Sequence, residues 1–356
     1  MKNIALNIES LAAEDGGVSR VANLILKFFS DRAKIGNDRI FLNIYRDHIL
    51  QNNKFIKLNK STLNNKSKIL FIINNFVNSI RSDYILYDHL GLAKANKFLI
   101  KKRPYIVFLY GIDAWQKKPK RIEEQKNSKL SISISKFTKT KTEIIHGKLK
   151  NIKICWLSTL YNKINFHKIK NKKKFNFLFL SRLEIGKGHL DTLNSFKKIN
   201  NKKANLLIVG KGPEYKNIEK KIRELNLEKN VKLLGFMNNK QLNKVWSKTD
   251  VLVMPSRVEG FGLVYIEAMS RGIPIVVSTQ DAGQEINIHG KTGYSVNLDD
   301  KKNDKLFYYM NKMIHNKILT KKMGINAKKR WENNFTYSSF QKRFGKIIND
   351  FEKEIT

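Results

Sequence analysis

The stretch VLVMPSRVEGFGLVYIEAMSRGIPIVV, residues 251–277, decides how this chain is read. It opens on four apolar residues, 251–254, in the pattern of a buried strand. Pro255-Ser256-Arg257-Val258-Glu259-Gly260-Phe261-Gly262 then reads as a turn. A helix is expected from about Leu263 to Arg271, with Gly272 as its stop and Pro274 barring continuation. A second apolar strand follows at 275–277. A glycine-bearing turn thus opens onto a helix N-terminus at the carboxyl end of a strand. Unsatisfied backbone N–H groups and the positive end of the helix dipole meet there, which suits a diphosphate. Gly260 and Gly262 let the backbone approach a ligand closely. Glu259 and Glu267 flank the turn, with seven residues between them. Acids near a helix start also stabilise it without any ligand, so the signal is the whole string and not either glutamate alone.

Apolar, β-rich segments at 175–180, 204–209, 231–234, 251–254 and 273–277 alternate with helical stretches, as in a doubly wound parallel α/β domain. Ligands of such domains bind beyond the carboxyl ends of the strands. The loop after 175–180, Ser181-Arg182-Leu183-Glu184-Ile185-Gly186-Lys187-Gly188-His189, brings two cations around a double-glycine turn. Arg182 and Lys187 are therefore candidates to clamp a diphosphate and stabilise charge on a leaving group. Two solvated bases in a very basic chain is the plain alternative. Gly210-Lys211-Gly212-Pro213 reads as a structural turn, and Gly235-Phe236 falls where a nucleotide base could rest.

The first half has the same grammar, less cleanly. Strands are expected at 2–8, 39–45, 69–73, 84–87, 105–109 and 129–134, and a helix at 18–29. Gly16-Gly17 opens that helix after the first strand, which makes Gly17 a candidate ligand contact. Asp88-His89 and Tyr110-Gly111-Ile112-Asp113 stand at expected strand ends. The division expected is a domain at 1–167, a basic linker KIKNKKK at 168–174, a domain at 175–335 and a helix at 336–356.

The formal net charge is +39. Residues 1–170 carry 33 Lys and Arg against 12 Asp and Glu, and the rest carries 36 against 18. The excess is spread over both halves, which favours compositional bias over a nucleic-acid-binding face. An anionic membrane surface fits best at Lys101-Lys102-Arg103 and Lys117-Lys118-Pro119-Lys120-Arg121. The single cysteine, Cys155, excludes an internal disulfide and fits a reducing, cytoplasmic compartment. The histidines have no metal-ligand spacing, so no metal is expected. Residues 1–10 read as a strand and not as a signal peptide, and no apolar run approaches the ~18–20 residues of a membrane span. Any membrane contact is expected to be peripheral.

Together these residues resemble the retaining glycosyltransferases of family 4. Glu259-Gly260-Phe261-Gly262-Leu263-Val264-Tyr265-Ile266-Glu267 looks like the family's E-x7-E signature. Ser181-Arg182-Leu183 with Lys187-Gly188, the Gly210-Lys211-Gly212-Pro213 turn and Gly16-Gly17-Val18 also match. So do residues 131–138, 281–286 and 289–293. The resemblance implies the GT-B fold: two Rossmann-like doubly wound domains facing each other across a cleft, with the C-terminal helix crossing back to the first. It implies that Glu259 binds hydroxyls of the transferred sugar, Glu267 the ribose, and Arg182 and Lys187 the diphosphate. Backbone N–H groups of Phe261, Gly262, Leu263 and Val264 would touch sugar and phosphate. The co-substrate would be a UDP- or GDP-sugar, with no metal and no tightly bound cofactor. A glycan or lipid-linked acceptor would enter from the first domain, beside Asp88, His89, Tyr110 and Asp113. Where the family often has His before the glycine, this chain has Tyr110; Asp113 remains and His89 is an alternative. The family's Pro-Asn-Gly-Val reads Leu157-Ser158-Thr159-Leu160. The rival readings are a GT-B sugar-nucleotide epimerase or phosphorylase, and a basic nucleic-acid- or membrane-binding protein.

Overall fold

A computed structural model describes residues 1–12, 16–47, 60–117, 119–169, 174–199, 204–300 and 304–356. The chain divides into two compact units, Met1–Leu160 with Phe340–Thr356, and Tyr161–Ser339.

The first unit is built on a seven-stranded sheet with the order β3-β2-β1-β4-β5-β6-β7. Its strands are β1 (Asn3–Ile8), β2 (Arg39–Ile44), β3 (Lys60–Leu63), β4 (Tyr84–Tyr87), β5 (Tyr105–Leu109), β6 (Leu130–Ser133) and β7 (Ile152–Ile154). All pairings are parallel, with Asn3 opposite Arg39 and Ile4 opposite Tyr84. Central strands are buried on both faces, which is why they read as continuous apolar runs. The helix Gly17–Gly36 packs its Phe28 and Phe29 rings on Phe344 of the helix Tyr337–Ile355, at 4.6 and 5.9 Å between centroids. Glu352 of that helix accepts from the two terminal guanidinium nitrogens of Arg32 at 3.1 Å and from the Tyr84 hydroxyl at 2.7 Å.

One expected strand is a helix. Residues 69–73 lie in the helix Lys68–Arg81, which starts where the Ser67 hydroxyl accepts from Leu70 N at 3.3 Å. An apolar run of five fits a buried strand and a helix segment equally well, and here the cap decides.

The second unit carries a six-stranded parallel sheet in the order β10-β9-β8-β11-β12-β13. Its strands are β8 (Phe175–Leu180), β9 (Ala204–Val209), β10 (Val231–Leu233), β11 (Val251–Val253), β12 (Ile275–Ser278) and β13 (Gly293–Val296). The order runs outward from β8 in one direction and from β11 in the other. The switch point therefore lies between these two strands, and the loops leaving their carboxyl ends flank it. In the first unit the equivalent point lies between β1 and β4. Of the basic stretch 168–174, residues 170–173 lie outside the described residues. Lys168 and Ile169 are not connector: Lys168 Nζ is 3.6 Å from Asp250, and Ile169 N donates to Ser247 O at 3.0 Å. These contacts tie them to the second unit, and the division falls earlier, after Leu160.

Candidate functional site

At the second unit's switch point the chain leaves β11, turns, and enters the helix Leu263–Ser270. Gly262 sits before that helix at φ 89° with no side-chain cap. A Cβ there would come within 2.1 Å of the Tyr265 ring, so the position is closed to other residues twice over. Tyr265 is fully buried and its hydroxyl bonds to Met254 O at 3.0 Å and Asp281 Oδ2 at 2.9 Å. The ring thus pins the turn to the ends of β11 and β12. Phe261 is turned into the core, 6.2 Å from Phe335.

The loop after β8 is stitched to this turn. Arg257 N donates to Gly186 O at 2.8 Å, and a Cβ on Gly188 would lie 2.1 Å from Pro255 O. That approach sets Lys187 Nζ 2.7 Å from Glu259 Oε2, with Lys187 only 9% exposed. Ala282 N donates to Glu259 O at 3.1 Å, fixing the glutamate from the β12 side. Asp281, buried beneath, accepts from Gly283 N at 2.7 Å. Burial first, and then the neighbouring Glu259, push its carboxyl well above the usual range, while Tyr265, Gly283 and Lys187 pull the other way.

Arg182 is elsewhere. Its side chain is 72% exposed and pairs with Glu184 at 3.0 Å. Lys187 is paired with Glu259 and Arg182 with Glu184. Glu267 is half-buried within the helix. Gly235, at φ 68°, accepts from Gly210 N at 2.8 Å, and next to it the Phe236 ring is 55% exposed with Lys211 Nζ 4.9 Å from its centroid. Gly260 is buried in the turn, between Glu259 and Phe261; Leu263 and Val264 are half-buried in the first helical turn.

In the first unit, the loops after β1, β4 and β5 bring acids together. Asp88 is fully buried, with Oδ2 accepting from Glu9 N at 3.1 Å. Burial raises its carboxyl well above the usual range, with Glu9 and Asp113 adding to the rise. Asp113 Oδ1 accepts from Tyr110 N at 3.1 Å and Gly111 N at 2.8 Å; burial raises this carboxyl as well, against the pull of His89. Tyr110 is raised by burial and by these acids. His89 Nδ1 accepts from Gly91 N at 3.1 Å, which leaves the proton on Nε2, 3.6 Å from Glu9 Oε2. Gly17 opens its helix next to Gly16 at φ 78°; residues 13–15 before it lie outside the described residues.

Residues 161–330 match the family described as glycosyl transferases group 1. The second unit carries a group 1 glycosyl transferase domain. The chain is 31% identical over 204 residues to an uncharacterised glycosyltransferase of Methanocaldococcus jannaschii, covering 57% of this chain and 54% of that protein. It is 28% identical over 191 residues to the capsular polysaccharide biosynthesis glycosyltransferase CapM of Staphylococcus aureus, covering 53% and 49%. The alignments span about half the length of these curated relatives. Among solved structures, Anabaena HepE in complex with UDP-glucose superposes with a TM-score of 0.79 at 19% identity, over 98% of this chain and 100% of that one. At that identity the likeness speaks for the fold, which is GT-B over nearly the whole chain.

Within the group 1 domain, the residues that sequence reasoning missed are Asp281 and Tyr265 as a pair. A Tyr on the first turn of one helix and an Asp after the next strand have no shared spacing rule. In the first unit the missed residue is Glu9, the first residue after β1.

Proposed function

We propose that this protein is a glycosyltransferase that moves a hexose-type sugar from a nucleotide-diphosphate sugar to a glycan or lipid-linked acceptor, with retention at the transferred carbon, in the synthesis of cell-surface polysaccharide or glycolipid. The observation that carries the reading is the Lys187–Glu259 pair, 2.7 Å apart and held at the switch point beside an uncapped helix N-terminus. The group 1 domain supports it, and so do CapM, by its name, and HepE, with UDP-glucose bound.

In this reading Lys187 takes the diphosphate together with the N–H groups of Gly262, Leu263 and Val264. Arg182, on a solvated loop, swings from Glu184 to the same phosphates. Glu259 accepts from sugar hydroxyls and Glu267 from ribose hydroxyls, and Gly235 with Phe236 carries the base. The bond from the anomeric carbon to the diphosphate breaks as the acceptor oxygen bonds on the same face. The acceptor's proton passes to the departing phosphate oxygen. Charge grows on the diphosphate, so Lys187 and Arg182 make the largest protein contribution. Asp113, Asp88, His89 and Tyr110 form the acceptor side. No metal takes part. The enzyme works in the cytoplasm, at the inner face of the membrane when its acceptor is lipid-linked.

The test is a thermal-shift screen of UDP- and GDP-sugars in the presence of a chelator, followed by turnover of the hit. A donor at 100 times its dissociation constant stabilises by about 2.7 kcal/mol. No stabilisation by any nucleotide sugar refutes the reading, and turnover of donor without acceptor favours an epimerase.

A further inference from the structure

The helix Lys68–Arg81 is apolar on two sides. The side it turns to the domain carries Asn75, Asn78 and Ser79 alongside Phe71, and Ile72 and Phe76 pack against the same core. The Tyr87 hydroxyl donates to Asn75 Oδ1 at 3.2 Å and Ser79 Oγ to Phe76 O at 2.7 Å, while Asn75 Nδ2 and Asn78 Nδ2 are buried with no hydrogen-bond partner among the described residues. Water is given a second apolar side. Ile69 is 72% exposed, Ile73 51% and Ile80 56%. With the half-buried Val77 these positions follow the i, i+4, i+8, i+11 rows of one helical face. The stripe does not stop at the helix end. Arg103 donates to Ser79 O at 3.1 Å and Ile80 O at 3.0 Å, which brings the segment 94–103 against it. That segment adds Phe98 at 62% and Ile100 at 87% exposed.

Charge surrounds the stripe. Residues 66–81 and 94–103 hold eight Lys and Arg and no Asp or Glu. Lys102 Nζ donates to Asn96 O and Lys97 O, and Arg103 donates to the two carbonyls above. Carbonyls fix these cations without neutralising them. Among the described residues only Lys97 of these segments meets acids, Glu123 at 2.9 Å and Glu124 at 3.3 Å. Lys102, Arg103 and Lys129 line a hollow of about 490 Å³ at the amino-terminal edge of the sheet, beside the same segment. Among the described residues no helix is long and apolar enough to cross a membrane.

We propose that this face, formed by Ile69, Ile73, Ile80, Phe98 and Ile100 within a rim of lysine and arginine, docks the first unit onto an anionic lipid bilayer. An aliphatic stripe belongs in the acyl boundary and a basic rim at the headgroups. A nucleic acid would match the rim and give nothing to four exposed isoleucines. The second basic cluster of the sequence, 117–121, lies partly outside the described residues and is not needed. The proposal deepens the lipid-side part of the proposed function but stands on surface chemistry alone.

The experiment is co-sedimentation of the full chain with phosphatidylcholine vesicles, with and without phosphatidylglycerol. Wild type sediments with the anionic vesicles, less so as salt rises. The triple variant Ile73→Ser, Ile80→Ser, Phe98→Ser loses at least ~10-fold in partitioning, and Lys101→Gln with Lys102→Gln lowers it by ~10-fold or more. Unchanged melting temperature and an unchanged shift with UDP-glucose establish that the variants are folded. Failure of wild type to sediment overturns the proposal. So does a triple variant that sediments like wild type, or a wild-type dimer in ultracentrifugation that the triple variant dissolves. A chain that binds vesicles and no nucleotide sugar would sink the proposed function and leave this face standing.

Discussion

Replacing Lys187 with alanine removes the cation paired with Glu259. The pair is 2.7 Å apart, with side-chain exposures of 11% and 23%. Breaking a fully buried pair costs about 3–5 kcal/mol, and partial access of water to Glu259 brings the expected loss to about 1–2 kcal/mol. The loss has a second source in Asp281. Its raised carboxyl is already disfavoured by Glu259 and relieved by Lys187, so removing the lysine drives it further toward the protonated form. The double variant Lys187→Ala with Glu259→Gln should therefore regain about 1 kcal/mol over Lys187→Ala, because the uncompensated charge is gone. Activity should not return. Stabilisation of charge on a leaving diphosphate is worth roughly 10²–10³ in rate, about 2.7–4 kcal/mol, and neither variant has the ammonium. The assay is urea unfolding for stability and UDP or GDP release for kcat/KM, on wild type, both single variants and the double. The reasoning fails if Lys187→Ala keeps kcat/KM within about twofold of wild type, or if the double variant is no more stable than Lys187→Ala.

Gly262→Ala puts a Cβ at φ 89° and 2.1 Å from the Tyr265 ring, and should cost at least ~2 kcal/mol in a thermal melt; a wild-type melting temperature would show that the turn relaxes freely. Phe236→Ala removes an exposed ring and should leave the fold intact while weakening nucleotide-sugar affinity by about 1 kcal/mol or more in calorimetry; unchanged affinity places the base elsewhere. Asp88 has a pH signature. Its folded-state carboxyl is raised by burial, so the folded state holds a proton that the unfolded chain releases above about pH 3.9. That contribution to stability is full below the unfolded value and lost as pH rises through the folded one. Asp88→Asn should flatten this part of the profile in denaturant titrations from pH 4 upward, and a parallel offset at every pH refutes it.

The fold was legible wherever strands are buried on both faces. The runs at 175–180 and 204–209 coincide with β8 and β9 because their positions are almost all apolar, each strand carrying one asparagine, Asn176 or Asn205, at its second residue. Strands β3 and β7 were not legible: KSTL and IKI are edge strands whose exposed positions erase the apolar signature. The same physics misled at 69–73, where apolar residues on both sides of a helix, Phe71 and Ile72 inward and Ile69 and Ile73 outward, mimic a buried run. For the candidate site, strand–glycine–helix punctuation marks which loops reach the switch point. It does not say which side chain meets which. Lys187 and Arg182 look alike in the sequence; one is pressed against Glu259 by Gly188 on Pro255, and the other points to solvent with Glu184. Asp281 was invisible as a partner of Tyr265 because 16 residues and a strand separate them.

The first unit is completed by Phe340–Thr356, which reaches it only after the second unit has been written. At roughly 5–20 residues per second a ribosome spends on the order of ten to thirty-odd seconds between Leu160 and Phe340. Through that interval Phe28, Phe29 and Phe108 have no Phe344 to cover them, and Arg32 and Tyr84 wait for Glu352. The half that is born first is therefore the half that matures last. Its nascent form is a sticky, unfinished sheet, and the cell has to shelter it for as long as its sibling takes to be made.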